Sequence, residues 1–181
     1  MRIIAGKNKG TKLYDFEYDN IRPTLDRVRE SVFNTLQTRI NSECEVLDLF
    51  CGTGAFSLEF LSRGAKSIIS VDNNSNSINL IKKNFAKCKS KPNLLECDYK
   101  KALKTLSEKQ FDIIFLDPPF ESNYAQKAIE KIVETNMLKE NGIIVWEKHI
   151  QTPSVFFDGL RVLDEKKYGT ICVVYYGRND D

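Results

Sequence analysis

No stretch of this sequence is apolar for long enough to cross a bilayer, and no Cys-x-x-Cys pair or Cys/His cluster offers ligands for zinc. The five cysteines are odd in number and irregularly spaced, which excludes a secreted disulfide framework and points to a reduced, cytoplasmic protein. Internal repeats, low-complexity runs and Gly/Ser-rich linkers are also absent, so solenoid and tethered multidomain architectures drop out. A net charge of +2 is too small to mark a nucleic-acid binder by itself. Its distribution is uneven, because the first fourteen residues hold Arg2, Lys7, Lys9 and Lys12 and no acid, without the apolar core of a signal peptide.

What remains, 181 residues at 41% hydrophobic content, suffices for one catalytic domain and a small appendage. Residues 1–20 read as a basic β-hairpin appendage and 21–181 as the catalytic domain. Ile3 and Ile4 suit a short strand, the Lys7-Asn8-Lys9-Gly10 run a turn, and Thr11 to Tyr14 the return. After Pro23 the period changes: Thr24 is placed to cap a helix with Val28, Val32, Phe33, Leu36 and Ile40 on one face. From Glu45 short apolar runs alternate with helical stretches: Val46–Phe50, Ser67–Val71, Leu94–Cys97, Phe111–Leu116 and Gly142–Trp146 as strands. The helices between them lie at 56–62, 75–86, near 99–106 and at 124–135. This alternation predicts an α/β fold with a doubly wound, mostly parallel sheet. Leu160–Leu163 and Thr170–Tyr176, joined by a charged turn, are expected to close it as an antiparallel pair, giving seven strands.

Asp48-Leu49-Phe50-Cys51-Gly52-Thr53-Gly54 falls where the first strand meets a helix, the usual cofactor crevice of such sheets. Glycines there let the backbone turn tightly and approach a ligand. Asp72, ending the second strand, suits two ribose hydroxyls. Asp98, after the third, suits an adenine amine, with Tyr99 flanking the ring. Each acid alone would serve equally well as a helix cap; together they point to a nucleoside cofactor. Ser57 stands where a dinucleotide fingerprint wants a third glycine, and Asp48 suits a cationic methionyl amine better than a pyrophosphate. The cofactor indicated is S-adenosylmethionine, with Phe50, Gly52, Thr53, Gly54 and Asn73 completing its site.

Asp117-Pro118-Pro119-Phe120 follows the fourth strand on the same sheet edge. Two prolines restrict the chain and remove N–H groups, leaving an array of acceptors from Asp117 and the Pro118 carbonyl. An exocyclic base amine is a donor that needs such acceptors, and Phe120 suits stacking on a base that has left its own stack.

Several segments together resemble the bacterial 16S ribosomal RNA guanine-N2 methyltransferase family over nearly the whole length. They are Met1–Lys7, Arg22-Pro23-Thr24 followed by Asp26–Glu30, Asp48–Gly54, Leu61–Ala65, Asp117–Phe120 and Lys167–Thr170. Asp72 stands where that family often has glutamate, and Cys51 and Thr53 where it often has alanine and serine; the inferred contacts survive these changes. The resemblance implies a class I methyltransferase acting on guanine of small-subunit rRNA, as a monomer, with Arg2, Lys7, Arg22, Thr24 and Phe120 as substrate contacts.

Three enzymatic rivals stay open on the residues alone. An Asp-Pro-Pro-aromatic loop grips adenine N6 as readily as guanine N2, although 181 residues leave no room for a DNA-recognition domain. Cytosine-C5 methylation needs a reactive cysteine, and no proline here precedes one, so Cys51 reads as a small loop residue. A nicotinamide oxidoreductase shares the glycine loop. A binding-only module is the fourth reading, and it would have no need of Asp117. Trp146, Tyr175 and Tyr176 read as core, Lys82, Lys83, Lys87, Lys89 and Lys91 as a solvated face, and His149, the only histidine, is assigned no role.

Overall fold

The computed structural model describes residues 1–16 and 22–179, and of residues 22–24 the backbone alone. Seven strands form one sheet in the order β3-β2-β1-β4-β5-β7-β6. They are β1 (Glu45–Leu49), β2 (Ser67–Asp72), β3 (Leu94–Glu96), β4 (Phe111–Leu116), β5 (Leu138–His149), β6 (Leu160–Tyr168) and β7 (Ile171–Arg178). The helices are α1 (Arg22–Leu36), α2 (Ala55–Ser62), α3 (Ser75–Lys87), α4 (Tyr99–Thr105) and α5 (Tyr124–Glu134). β1 to β5 pair in parallel, and β7 enters antiparallel between β5 and β6. The order reverses between β1 and β4, which opens a crevice at their carboxyl ends.

Buried strand residues alternate between two faces, as a period of two requires. Leu47, Leu49, Ile114, Leu116, Ile144 and Trp146 pack with α4 and α5. Val46, Phe115, Val145, Val173 and Tyr175 pack with Val28, Val32, Phe33 and Leu36 of α1 and with Phe60 of α2. The same alternation carries Asp48 and Glu147, and Asp117 just past β4, to the α1 side of the sheet. Trp146, Tyr175 and Tyr176 are core residues, at most 3% exposed.

At the N-terminus Arg2 and Lys12 form an isolated antiparallel bridge, and Ile3 and Leu13 are buried against α2 and α3. Glu59 of α2, wholly buried, ties this segment down: its carboxylate accepts the Ile4 and Ala5 N–H groups at 2.8 and 3.0 Å and Arg63 Nε at 2.7 Å. Gly6, at φ +81°, lies so close to the Ser62 carbonyl that a Cβ there would collide with it. The boundary expected near residue 20 lies outside the described residues.

Three expectations need correction. The described part of α1 spans Arg22–Leu36, so the Thr24 backbone is already helical and not the residue before the helix; a proline early in a helix has no intrahelical N–H bond to lose. β5 starts at Leu138, four residues before Gly142. The charged run Asp164–Lys167 is strand, with the turn falling at Gly169, because β6 is the sheet edge and its exposed face takes charges without burying them.

Candidate active site

Two adjoining cavities open at the switch point. The smaller, about 310 Å³, lies on the α1 side and is lined by Asp48, Phe50, Gly52, Thr53, Asp117 and Glu147, with Arg29 and Phe56 among others. The larger, about 810 Å³, gathers Phe50, Gly52, Asp72, Asn73, Asp98, Tyr99, Asp117, Pro118, Pro119 and Phe120. Asp117 faces both. Arg2 and Lys7 line neither and are exposed on the N-terminal segment. The Arg22 and Thr24 side chains lie outside the described residues.

The turn between β1 and α2 is built by backbone conformations. Phe50, Gly52 and Gly54 all have positive φ, and Gly54 packs so tightly against Ile81 that a side chain would not fit. Asp72 fixes the turn by accepting the Gly52 N–H at 2.9 Å on one oxygen and the Asn74 N–H at 2.9 Å on the other. Asp98 caps α4, with Oδ1 accepting from the Lys100 and Lys101 N–H groups, so its cap reading is realised while it also lines the larger cavity. Tyr99 is buried, 5.5 Å from the Phe50 ring and 5.3 Å from the Tyr124 ring. Tyr124 completes this aromatic wall, stacked on Phe50 at 6.3 Å; at the start of α5, it had no sequence signal to single it out.

Asp48 is 1% exposed. Its Oδ2 accepts Ser57 Oγ at 2.5 Å, and Ser57 in turn contacts Ser70 Oγ at 2.7 Å. This is why serine occupies the position of a third glycine: its hydroxyl orients a buried acid. Asp48 Oδ1 has no hydrogen-bond partner. A buried acceptor so aimed fits the ammonium of a methionyl group, and the carboxylates of Asp72 and Asp98 beside an aromatic wall fit an adenosine, so these residues suit S-adenosylmethionine.

Burial pushes Asp48 up to about 7, eased by the Ser57 bond and reinforced by Asp117 and Asp72. Burial likewise raises Asp117 to about 7, and it raises Glu147, which also feels Asp117. Sequence reasoning missed Glu147: it lies near the end of β5 between Trp146 and Lys148, where it reads as one of a pair of surface charges, and only the β4–β5 register, Leu116 opposite Trp146, reveals that it adjoins Asp117. A row of acids therefore runs across the ends of β1, β4 and β5, two of which, Asp48 and Asp117, ionise near neutrality.

Phe120 is 43% exposed, so part of its ring is accessible to a base, and the His149 ring lies tilted 5.8 Å from it. Cys51 is buried, and burial with nearby Asp48 and Asp72 drives its thiol well above the ordinary range. An inert thiol of this kind is no nucleophile. Cys51→Ala is therefore expected to keep methyl transfer within about threefold of wild type; abolished activity in a radiolabel-transfer assay would restore the C5 mechanism.

The chain matches the family described as conserved hypothetical protein 95 over residues 1–177. It is 37% identical to ribosomal RNA small subunit methyltransferase D of Haemophilus influenzae, with 97% of this chain and 93% of the relative covered. The Escherichia coli protein of the same name is 33% identical, with 88% and 77% covered. Among solved structures, an Escherichia coli methyltransferase superposes with a TM-score of 0.85 at 27% identity, covering 100% of this chain and 99% of the other.

Proposed function

The chain belongs to the conserved hypothetical protein 95 family, and from that premise we propose that it methylates the exocyclic N2 amine of a guanine in 16S ribosomal RNA, using S-adenosylmethionine. The observation that carries this reading is the place of Asp117-Pro118-Pro119-Phe120: at the carboxyl end of β4, beside the glycine turn, with Asp117 facing both cavities. The relatives' printed names supply the small-subunit RNA. The proposal extends to a monomer acting in the cytoplasm on rRNA within the small ribosomal subunit, with residues 1–20 as its basic RNA contact. Among the described residues no helix is long and apolar enough to cross a membrane.

The cofactor, when bound, supplies a methyl group on a positively charged sulfur. Asp48 Oδ1 would receive its amine and Asp72 its ribose, with Tyr99, Phe50 and Tyr124 walling the adenine side. The guanine amine is a poor nucleophile because its lone pair is delocalised into the ring. Asp117 and the Pro118 carbonyl hold its two hydrogens, which favours a tetrahedral nitrogen and aligns it with the methyl. Asp117 then takes the proton that the methylated nitrogen sheds. Phe120 holds the extruded base by stacking, worth about 1–3 kcal/mol.

The acceptor form of Asp117 is its anion, and its raised ionisation at about 7 sets the sign of the pH dependence. Single-turnover rate is expected to climb as pH rises from 6 to 8 and to level above that ionisation. A rate already flat from pH 5 upward would contradict a carboxylate with this environment. Asp48 ionises over the same interval, so cofactor affinity is expected to rise in parallel.

The deciding experiment supplies unmodified small subunits, duplex DNA and methyl-labelled S-adenosylmethionine, then identifies the modified nucleoside by mass spectrometry. N2-methylguanosine in 16S rRNA is the expected product. N6-methyladenine in DNA, or no transfer at all, would defeat the proposal.

A further inference from the structure

Arg29 of α1 is 2% exposed and, like Asp48, lines the smaller cavity. Its Nη2 donates to the Arg2 carbonyl at 2.6 Å and to Asp26 at 3.3 Å, but Nε and Nη1 are buried with no hydrogen-bond partner. Burial lowers its ionisation, with the nearby Asp26, Glu59 and Asp15 charges opposing the fall. A guanidinium remains charged under such perturbation. Two buried donors without acceptors are an expensive arrangement in a folded protein, and each such group needs an explanation.

Asp48, lining the same cavity, carries the complementary group: its Oδ1 is a buried acceptor without a donor. An amino-acid zwitterion satisfies both at once: its carboxylate answers the guanidinium and its ammonium answers Asp48. A nucleic-acid phosphate would satisfy Arg29 but leave Asp48 facing a second anion. An apolar group would leave both unsatisfied.

We propose that Arg29 is the receptor for the carboxylate of the cofactor's methionyl end, and that through its bond to the Arg2 carbonyl it links cofactor occupancy to the basic N-terminal segment. The inference rests on the S-adenosylmethionine reading and assigns a residue that the glycine-loop pattern does not reach. With the cofactor in place, Arg29 is held from both sides, by the carboxylate in the cavity and by the Arg2 carbonyl outside it. The segment bearing Arg2, Lys7, Lys9 and Lys12 is thereby set in position for RNA when the methyl donor is present.

The test compares two nucleosides by calorimetry on the full chain: S-adenosylhomocysteine, which carries the amino-acid head, and methylthioadenosine, which lacks it. Arg29→Met is expected to weaken S-adenosylhomocysteine binding about 10- to 100-fold, the usual range for a charge-assisted hydrogen bond, and to leave methylthioadenosine binding within twofold. Arg29→Lys, which keeps the charge and the packing stem, is expected to fall between and takes over the test if the methionine variant does not fold. Equal losses for both ligands would assign Arg29 a merely structural role, and unchanged binding of both would also overturn the proposal. Amide exchange supplies the second readout. S-adenosylhomocysteine is expected to slow exchange across residues 2–13 of the wild type and methylthioadenosine to leave it unchanged; equal protection by both would overturn the link to the segment. Failure of the wild type to bind either nucleoside would instead reject the cofactor reading itself.

Discussion

Asp117→Ala is expected to lower the single-turnover rate of methyl transfer by about 10³-fold or more, while S-adenosylhomocysteine still binds within about threefold of wild type. The magnitude follows from what the side chain does. It orients the amine, where a small misplacement forfeits a large factor, and it accepts the proton, typically worth about 10²–10⁴ in rate. Asp117→Asn separates the two roles, because the amide oxygen still accepts a hydrogen bond but takes no proton; its rate is expected to lie above that of Ala and to lose the rise near neutral pH. The position of Asp117, between the cavities and off the glycine turn, is why cofactor binding survives. Full activity in Asp117→Ala would leave the protein a binding module.

Glu59→Ala is the largest stability effect expected. The carboxylate is inaccessible to solvent and satisfies two backbone N–H groups of the N-terminal segment and the Arg63 guanidinium. Removing it leaves the Ile4 and Ala5 donors and a half-buried arginine without their acceptor, a loss of about 3–5 kcal/mol. For a chain of this size that is a fall of roughly 6–20 °C in melting temperature. The same substitution is expected to release the segment carrying Arg2 and Lys7, so RNA affinity at moderate salt should drop along with stability. Thermal unfolding followed by circular dichroism measures the first effect; a melting temperature within 2 °C of wild type would show that the segment is held without the Glu59 carboxylate, by Ile3, Leu13 and its bonds to Ser62 and Asn84.

Glu59 also illustrates where sequence reading stops. It reads as an ordinary helical acid, since nothing in its neighbours reveals that a segment more than fifty positions away delivers two N–H groups to it. Arg29 and Glu147 are of the same kind. Each takes its meaning from an element far off in the chain: Arg29 from the Arg2 carbonyl and the β1 turn, Glu147 from its register beside Asp117. The glycine loop, Asp72 and the Asp-Pro-Pro-Phe loop were legible because local backbone chemistry writes them. Positive φ demands glycine at 54, and paired prolines restrict the chain whatever surrounds them. Ser57 lay between these cases: its identity argued against a dinucleotide, but its bond to Asp48 required the tertiary structure.

Alternation of apolar runs with helical periods determined the doubly wound sheet, because a strand buried on both faces and an amphipathic helix are each patterns of a single segment. The antiparallel end was harder. Edge strand β6 hides little, so its charged residues resemble a turn until β7 supplies the hydrogen bonds that make them a strand. By itself, then, the sequence determined the order of elements, the sheet edge that carries the chemistry and the loops facing it. The tertiary structure alone decided which buried charges meet there. Burial and electrostatic pairing depend on distances between segments far apart along the chain, and those distances exist only once the sheet has closed.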